Sequence, residues 1–161
     1  GRITIANERT VYDTENMLTD TSAVAVITKD RPEFDFTSSK NIALGASVSA
    51  PFSESGCPAS NVIDGNLSTR WSAAGSPNST YSIVIDLKSV KNLKEMLILW
   101  EANVGGLFKV SVSNDNQNWT SLGTYDHAQV NLVALNNSAR YIRIEAPKNG
   151  YFSIYEIGVY Q

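Results

Sequence analysis

Apolar and polar residues alternate with a period of two over roughly the last three quarters of the chain. The segments YSIVIDL (81–87) and FKVSVS (108–113) each place an apolar residue at every second position. Successive side chains of a β-strand point to opposite faces, so this pattern predicts strands with one buried face. The short apolar run MLILW (96–100) is bounded by polar residues and predicts a core strand. Two more strands are predicted at RYIRIEA (140–146) and FSIYEIGVY (152–160).

The spacing of these strands predicts the fold class. They follow one another at short intervals, and no segment has the periodicity of an amphipathic helix, which is typical of all-β, antiparallel sandwiches and barrels. Residues 1–40 differ, because the possible strands ITIA (3–6) and AVAVIT (23–28) are separated by polar, turn-rich sequence. We therefore expect one domain over 41–161. Before it we expect an N-terminal extension or the tail of a preceding module, packed or partly strand-paired against the domain, with a junction at TSSK (37–40).

Composition and charge narrow the class of partner. The 161 residues, of which 42% are hydrophobic and 18% charged, suit one globular domain. The net charge is -3, and there is no block of Lys or Arg, so neither nucleic acid nor an anionic membrane is predicted as a partner. No apolar run approaches the ~18 residues of a membrane-spanning helix. The chain begins with Gly1 and no leader follows, which indicates a processed or excised chain.

The sequence contains no convincing catalytic set. Cys57 is the single cysteine and His127 the single histidine. One thiol can form neither an internal disulfide nor a structural zinc site. The two residues lie in unrelated loop-like contexts, so we expect a half-buried thiol and a solvated imidazole rather than a catalytic pair. The sequence therefore predicts a protein that is not an enzyme.

The segment ASNVIDGNLSTRW (59–71) is open to two interpretations. Asp64, Gly65 and Asn66 suit a tight hairpin turn, because these residue types tolerate left-handed backbone angles. Alternatively, the loop wraps a hard cation, since calcium takes about six to eight oxygen ligands and a glycine turn lets carbonyls converge. Asp64 would then supply a carboxylate, Asn66 a carbonyl, and Thr69 a carbonyl and a hydroxyl. A carboxylate from elsewhere in the chain would have to complete such a site.

Seven motifs occur in the order found in one known family. They are NIALGASVSA (41–50), ASNVIDGNLSTRW (59–71), YSIVIDL (81–87), LILWE (97–101), FKVSVSNDNQNW (108–119), ARYIRIEA (139–146) and YFSIYEIGVY (151–160). In this order they resemble discoidin domains, the coagulation factor V/VIII type C domains, and most of all the bacterial family 32 carbohydrate-binding modules. The resemblance covers residues 41–161. It implies a jelly-roll β-sandwich of about eight strands, like that of galactose-binding domains, in agreement with the strand pattern.

The resemblance also implies a structural calcium ion. Bacterial members often close the calcium site with a Glu in the last strand, and Glu156 has that position in IYEIGVY. The predicted calcium ligands are thus Asp64, Asn66, Thr69 and Glu156. A carboxylate inside an apolar strand is costly when unpaired, so Glu156 needs a partner, and Arg70 is the alternative to calcium.

Family members bind their ligands at the loops on one end of the sandwich. For a sugar, such a site needs an aromatic ring that stacks on the C–H face and planar polar groups that bind the hydroxyls. The loop KNGYFSIYE offers Tyr151 and Phe152; we expect Tyr151 at the surface, because its hydroxyl keeps contact with water, and Phe152 in the core. The other predicted ligand-binding residues are Glu54, Asn103 and Arg70, with Phe52 and Glu101 as alternatives in the same loops and a structural ion pair as the alternative role of Arg70.

The resemblance implies a non-catalytic module that targets a larger, secreted or cell-surface bacterial protein to glycans, as accessory modules of glycoside hydrolases do. The location would be extracellular or periplasmic. The resemblance does not by itself imply specificity for galactose, because galactose binders of the family often carry a His in the first loop and residues 50–58 contain none. The alternatives are an adhesion or membrane-recognition domain like the animal members, disfavoured by the single cysteine and the acidic composition, and a structural spacer without a ligand.

Overall fold

The computed structural model describes residues 35–161, so the strands predicted at 3–6 and 23–28 lie outside the described residues. Within this range there are two short 3-10 helices, Ile42–Gly45 and Ala59–Ile63. The strands are β1 (Ser47–Ser49), β2 (Trp71–Ser72), β3 (Thr80–Asn103), β4 (Leu107–Ser113), β5 (Thr120–Asp126), β6 (Val130–Pro147) and β7 (Phe152–Tyr160). No helix in the described part of the chain is long and apolar enough to cross a membrane.

The strands pair antiparallel in the order β2-β7-β3-β6-β4-β5, and β1 pairs with β3. β3 and β6 are long, and the register between them shifts between Asp86 and Lys91 of β3. The first part of β3 pairs with β1 and the end of β6, whereas its last part pairs with β7 and the start of β6. Both long strands therefore contribute to a first layer with β1, β4 and β5 and to a second layer with β2 and β7. The predicted antiparallel sandwich is confirmed.

The core lies between the two layers and is filled by the apolar half of the alternating pattern. Ile83 of the first layer and Ile98 of the second are both 0% exposed. The ring of Phe152 stacks on that of Tyr81, with 5.2 Å between centroids, and meets Trp100 edge-on at 5.3 Å. Burial of a large apolar side chain contributes roughly 1.5–3 kcal/mol, so this aromatic cluster stabilises the end of the sandwich where β3 ends and β7 begins.

The outer face of the second layer is apolar as well. Leu97, Leu99 and Val130 on this face are 0% exposed, although the outer face of an antiparallel sandwich is commonly polar. Phe36 (1% exposed) and the partly buried Leu67 pack against them. The last residues of the predicted N-terminal extension are therefore packed against the domain.

Candidate functional site

Most of the predicted ligand-binding residues come together at one end of the sandwich, which we call the tip. The tip is formed by residues 50–58, 72–76, 101–106 and 148–153. Ser72 of the edge strand β2 pairs there with Ser153 of β7. The backbone N–H of Glu54 donates to the carbonyl of Ser72 at 2.8 Å, and the Trp71 indole N–H donates to the carbonyl of Phe52 at 3.2 Å. These bonds fix the first loop against β2.

The two adjacent aromatic residues at the tip have opposite environments. Tyr151 is 65% exposed, and its carbonyl accepts a hydrogen bond from the N–H of Val104 at 3.0 Å. Phe152 begins β7 with its side chain in the core and is 1% exposed. The expected exposure of Tyr151 and burial of Phe152 are confirmed. The inclusion of Phe152 among the ligand-binding candidates is wrong, because a ring inside the core cannot meet a ligand.

The structure also corrects the prediction for Asn103. This residue is 8% exposed, and its side chain holds the turn between β3 and β4. Its Nδ2 donates to the carbonyl of Leu107 at 3.2 Å, and its Oδ1 accepts from the N–H of Gly106 at 3.1 Å. Both functional groups of the amide are therefore engaged in the turn, so Asn103 is not available to a ligand.

Arg70 lies between two glutamates at the tip. Its Nη2 is 3.8 Å from Glu54 Oε2, and its Nε is 3.8 Å from Glu101 Oε1. The side chains of Arg70, Glu54 and Glu101 are 41%, 35% and 36% exposed, so a ligand can reach all three. The Ser72 hydroxyl donates to Glu54 Oε1 at 3.4 Å, and the Ser153 hydroxyl donates to Glu101. We call Glu54, Arg70 and Glu101 the acidic triad.

The acidic triad retains unused polar groups and one uncompensated negative charge. Two carboxylates face a single guanidinium, and the 3.8 Å separations exceed the usual hydrogen-bond range of about 2.7–3.2 Å. Arg70 Nε is buried and has no hydrogen-bond partner. Partly exposed ion pairs of this kind contribute little to folding stability. The arrangement is better suited to contacting a polar ligand than to stabilising the fold.

The cation candidate is the loop that precedes β2. Asp64 Oδ1 accepts from the N–H of Asn66 at 2.9 Å, and Asp64 Oδ2 accepts from the Thr69 hydroxyl at 2.6 Å. The N–H of Gly65 donates to Glu156 Oε2 at 2.8 Å, which places the last-strand carboxylate beneath the loop. The alternative partner for Glu156 is wrong, since Arg70 pairs with Glu54 and Glu101.

Glu156 is a fully buried carboxyl group, 0% exposed, and its Oε1 has no hydrogen-bond partner. Burial raises the pKa of Glu156 to about 9; the Gly65 N–H opposes this shift, and the negative charge of Asp64 adds to it. Within residues 35–161 no three His, Cys, Asp or Glu side chains converge as a metal site. A cation here would thus bind two carboxylates together with hydroxyl, amide or carbonyl oxygens.

Cys57 lies in the first loop of the tip, whereas His127 follows β5 and donates its backbone N–H to the carbonyl of Gly106 at 2.7 Å. The Cys57 thiol is buried, and its Sγ lies 3.9 Å from Glu54 Oε2 in the same loop. The His127 ring is half-buried and packs edge-on against Trp100, with 5.3 Å between the ring centroids, so it is less exposed than the solvated imidazole that was expected. These contacts give no catalytic pair.

Comparison with known proteins identifies relatives of this fold. Chitosan-binding module 1 from a chitosanase/glucanase of Paenibacillus sp. IK-5 is 27% identical with a TM-score of 0.66, over 75% of this chain and 98% of that module. The family 32 module of Clostridium perfringens NanJ, solved with galactose, is 26% identical with a TM-score of 0.64, over 76% of this chain and 98% of that module. A family 89 glycoside hydrolase from Clostridium perfringens is 25% identical with a TM-score of 0.62, over 74% of this chain but 14% of that enzyme. Curated protein sequences give no match.

The family model of the F5/8 type C domain matches residues 43–157. The match extends over well more than half of the chain and includes β1 to β6 and most of β7. It also spans the tip and the loop above Glu156. The chain belongs to the F5/8 type C domain family, as the seven motifs predicted.

Proposed function

We propose that this domain is a non-catalytic module that binds glycans at the tip. The observation that carries the proposal is the exposed Tyr151 ring at the same end of the sandwich as the acidic triad. A flat ring packs on the C–H face of a pyranose, and charged planar groups bind its hydroxyls through strong hydrogen bonds. The similarity to a chitosan-binding module and to a module solved with galactose supports this function.

The charge of the acidic triad favours an amino sugar. Glu54 and Glu101 together exceed the single positive charge of Arg70, so a protonated sugar amine would be attracted and a sugar carboxylate repelled. A free carboxylate oxygen accepts hydrogen bonds from an ammonium group without displacing Arg70. The relative named for chitosan, a polymer of such amino sugars, supports this choice of substrate class.

The experiment is titration calorimetry with three sugars. The three sugars are a chitosan oligosaccharide, the fully N-acetylated oligosaccharide of equal length, and galactose. The first two share a backbone and differ in the charge of the amine, whereas galactose is a different, neutral sugar. We expect a Kd of ~0.1–1 mM for the chitosan oligosaccharide, since shallow, hydrated sites bind weakly. Glu54→Gln and Glu101→Gln should each remove the preference for the free amine. Glu95→Gln is the matched control, because Glu95 pairs with Tyr160 at the end of β7 opposite the tip, and it should leave the preference unchanged.

The possible results separate the two parts of the proposal. Equal affinity for the free and the acetylated oligosaccharide would contradict the amino-sugar preference and leave glycan binding standing. Absence of binding to every member of a broad glycan array would contradict glycan binding itself.

We propose further that the loop above Glu156 holds a structural calcium ion through Asp64, Asn66, Thr69 and Glu156. The donor set fits a hard cation, because it combines two carboxylates with hydroxyl and carbonyl oxygens and includes a buried carboxylate oxygen without a partner. When bound, calcium would take the place of the proton that burial favours on Glu156 and would compensate the negative charge of its carboxylate. The hydrogen bonds of Asp64 to Asn66 and Thr69 shape the loop, and the loop ends directly before Arg70.

A second function is favoured by the apolar side chains at the same end. Val104 is 58% exposed, Leu107 48% and Tyr151 65%. Neighbouring exposed apolar residues suit contact with a protein or a membrane surface. Co-sedimentation with neutral and with anionic vesicles tests this function; binding that is lost in Val104→Ser and insensitive to added sugar would favour it over glycan recognition.

We propose that the domain is part of a larger, secreted or cell-surface bacterial protein. The family 89 hydrolase supports this context, because the match covers a small part of that enzyme. Detection of the domain in the culture medium or on the cell surface tests the location.

A further inference from the structure

The backbone on both sides of the exposed Tyr151 ring is held by hydrogen bonds. The carbonyl of Tyr151 accepts from the N–H of Val104 at 3.0 Å, which anchors the peptide unit that follows Tyr151. The carbonyl of Gly150 accepts from the hydroxyl of Tyr81, which anchors the peptide unit that precedes Tyr151. Because peptide units are planar, these two bonds restrict the direction in which the Tyr151 side chain leaves the backbone.

The donor to Gly150 comes from the core of the sandwich. Tyr81 lies in β3, where it pairs with Ala146, and it is only 3% exposed. Its ring stacks on that of Phe152, with 28° between the ring planes. This packing uses the ring alone, so a phenylalanine would satisfy it as well. The hydroxyl is an additional polar group that needs a hydrogen bond when it is buried, and its acceptor lies in the loop that carries Tyr151.

Gly150 makes the loop dependent on this hydrogen bond. Its φ is 63°, in the left-handed region that glycine adopts without strain. A Cβ at this position would lie 3.0 Å from the Val104 side chain, so a larger residue would push the loop and Val104 apart. Glycine also has more conformational freedom than any other residue. Without the Tyr81 hydroxyl, the peptide unit before Tyr151 therefore has other orientations open to it.

Other hydrogen bonds hold the start of the loop. The N–H of Lys148 donates to the carbonyl of Ser79 at 2.9 Å, and its ammonium group donates to the carbonyl of Ser76 at 2.6 Å. These bonds fix the point at which the loop leaves β6, two residues before Gly150. Among the hydrogen bonds of the described residues, the bond from Tyr81 is the one that reaches the residue directly before Tyr151.

We propose that Tyr81 is a positioning residue for glycan binding, whose buried hydroxyl orients the Tyr151 ring for stacking on a sugar. This role rests on glycan binding at the tip, as proposed above. A ring that is already oriented loses less conformational entropy when the sugar binds. The hydroxyl thus raises the affinity without contacting the ligand.

The test compares Tyr81→Phe with the parent 161-residue chain in NMR titrations with the chitosan oligosaccharide. This variant keeps the ring on Phe152 and removes the hydroxyl alone. We expect the affinity to fall about two- to tenfold, the range for ordering one side chain at an interface, and by no more than in Tyr151→Ala. The amide order parameters of Gly150 and Tyr151 should fall from about 0.85 to below ~0.6.

A double-mutant cycle tests whether the hydroxyl acts through the Tyr151 ring. In the Tyr151→Ala background, Tyr81→Phe should cause no further loss of affinity, because the ring that it orients is absent. Gly150→Ala disturbs the same peptide unit without touching the core and should weaken binding at least as much as Tyr81→Phe. Tyr125→Phe is the matched control, because it also removes a hydroxyl from a ring that packs on a phenylalanine, Phe108. It should leave the affinity and both order parameters unchanged.

Three results would overturn the positioning role alone. Unchanged affinity in Tyr81→Phe, even with a lower melting temperature, would make the hydroxyl a purely structural group. An equal loss in the parent and in the Tyr151→Ala background would show that the effect does not pass through the ring. Parent-like binding by Gly150→Ala would show that the orientation of this peptide unit does not matter. A parent chain that binds no glycan would instead contradict the proposed function, and the role of Tyr81 would fall with it.

Discussion

At the scale of single residues, the sharpest contrast is between Tyr151 and Phe152. Tyr151→Ala should weaken glycan binding by roughly 0.5–1.5 kcal/mol, the usual value of an aromatic contact, and leave the melting temperature unchanged because the ring is exposed. Phe152→Ala should instead cost about 3 kcal/mol of folding stability, because it leaves a cavity beside Tyr81 and Trp100. Titration calorimetry and thermal denaturation of both variants measure the two effects. Loss of binding without loss of stability in Phe152→Ala would contradict this assignment.

A second residue-scale prediction concerns the ion pair of Asp86 and Arg140. Arg140 Nε and Nη2 donate to the two Asp86 oxygens at 2.8 and 3.0 Å, and this contact lowers the pKa of Asp86. A carboxyl group with a lowered folded-state pKa stabilises the protein above its unfolded pKa, and this contribution is lost as the pH falls through the folded value. Asp86→Asn should therefore lower the melting temperature near neutral pH and make no difference in strong acid. A difference that stays constant down to about pH 2 would contradict the linkage.

The tip shows which residue-scale features can be predicted from sequence. The exposure of Tyr151 and the burial of Phe152 were predicted from the polar hydroxyl that tyrosine has and phenylalanine lacks, which is a property of the single residue. The preference for Asn103 over Glu101 is wrong, because an Asn at a strand end that bonds its own turn cannot be distinguished by sequence from an Asn exposed in a loop. The partners of Arg70 cannot be predicted from the sequence either, because Glu101 is brought to it only by the pairing of β3, β7 and β2.

At the scale of elements, the loop above Glu156 covers a buried polar atom that has no hydrogen-bond partner within the described residues. A buried carboxyl group whose Oε1 lacks a partner opposes folding when it is ionised. Bound calcium would remove this cost and stabilise the domain by mass action, by about 2.7 kcal/mol at a hundredfold excess over Kd. Chelation should therefore lower the melting temperature by several degrees, and Asp64→Ala should abolish that response.

The control for chelation is Asp126→Ala, an exposed carboxylate in another strand, which should respond to chelator as the parent does. A melting curve that is the same with and without chelator, together with no calcium bound in equilibrium dialysis, would contradict the calcium site. Glu156→Gln then distinguishes the remaining possibility. If Glu156 is held neutral rather than bound to a cation, this variant should be as stable as the chelated parent or more so.

The strands show which elements can be predicted from the sequence and which cannot. The strands predicted at 81–87, 96–100 and 108–113 are present, because alternation reports one buried face. The continuity of β3 through the polar stretch 88–94 was not predicted, since the strand bends there and changes layer. Lys88 has a φ of 76°, which shows that the bend uses a backbone conformation unusual for a residue with a side chain.

At the scale of the whole molecule, the net charge of -3 acts together with the acidic triad on a charged ligand. A chitosan oligosaccharide carries several positive charges and would be attracted from beyond contact distance. Salt shortens the range of this attraction, since the Debye length falls from about 10 Å at 0.1 M to 3 Å at 1 M. The affinity for the chitosan oligosaccharide should therefore fall as sodium chloride is raised.

The salt dependence should follow the charge of the ligand and of the site. N-acetylation removes the charge of the ligand, and replacement of glutamate by glutamine removes the charge of the site with little change of shape. The fully N-acetylated oligosaccharide has no amine charge, so any residual affinity should be nearly independent of salt. Glu54→Gln combined with Glu101→Gln should flatten the dependence for the chitosan oligosaccharide. Glu95→Gln changes the net charge equally per substitution but lies beside Tyr160, at the end of β7 opposite the tip, so it should leave most of the dependence. Calorimetric titrations at three salt concentrations measure the slopes. Equal slopes for the triad variant and Glu95→Gln would mean that the amine is attracted by the overall charge and does not bind at the triad.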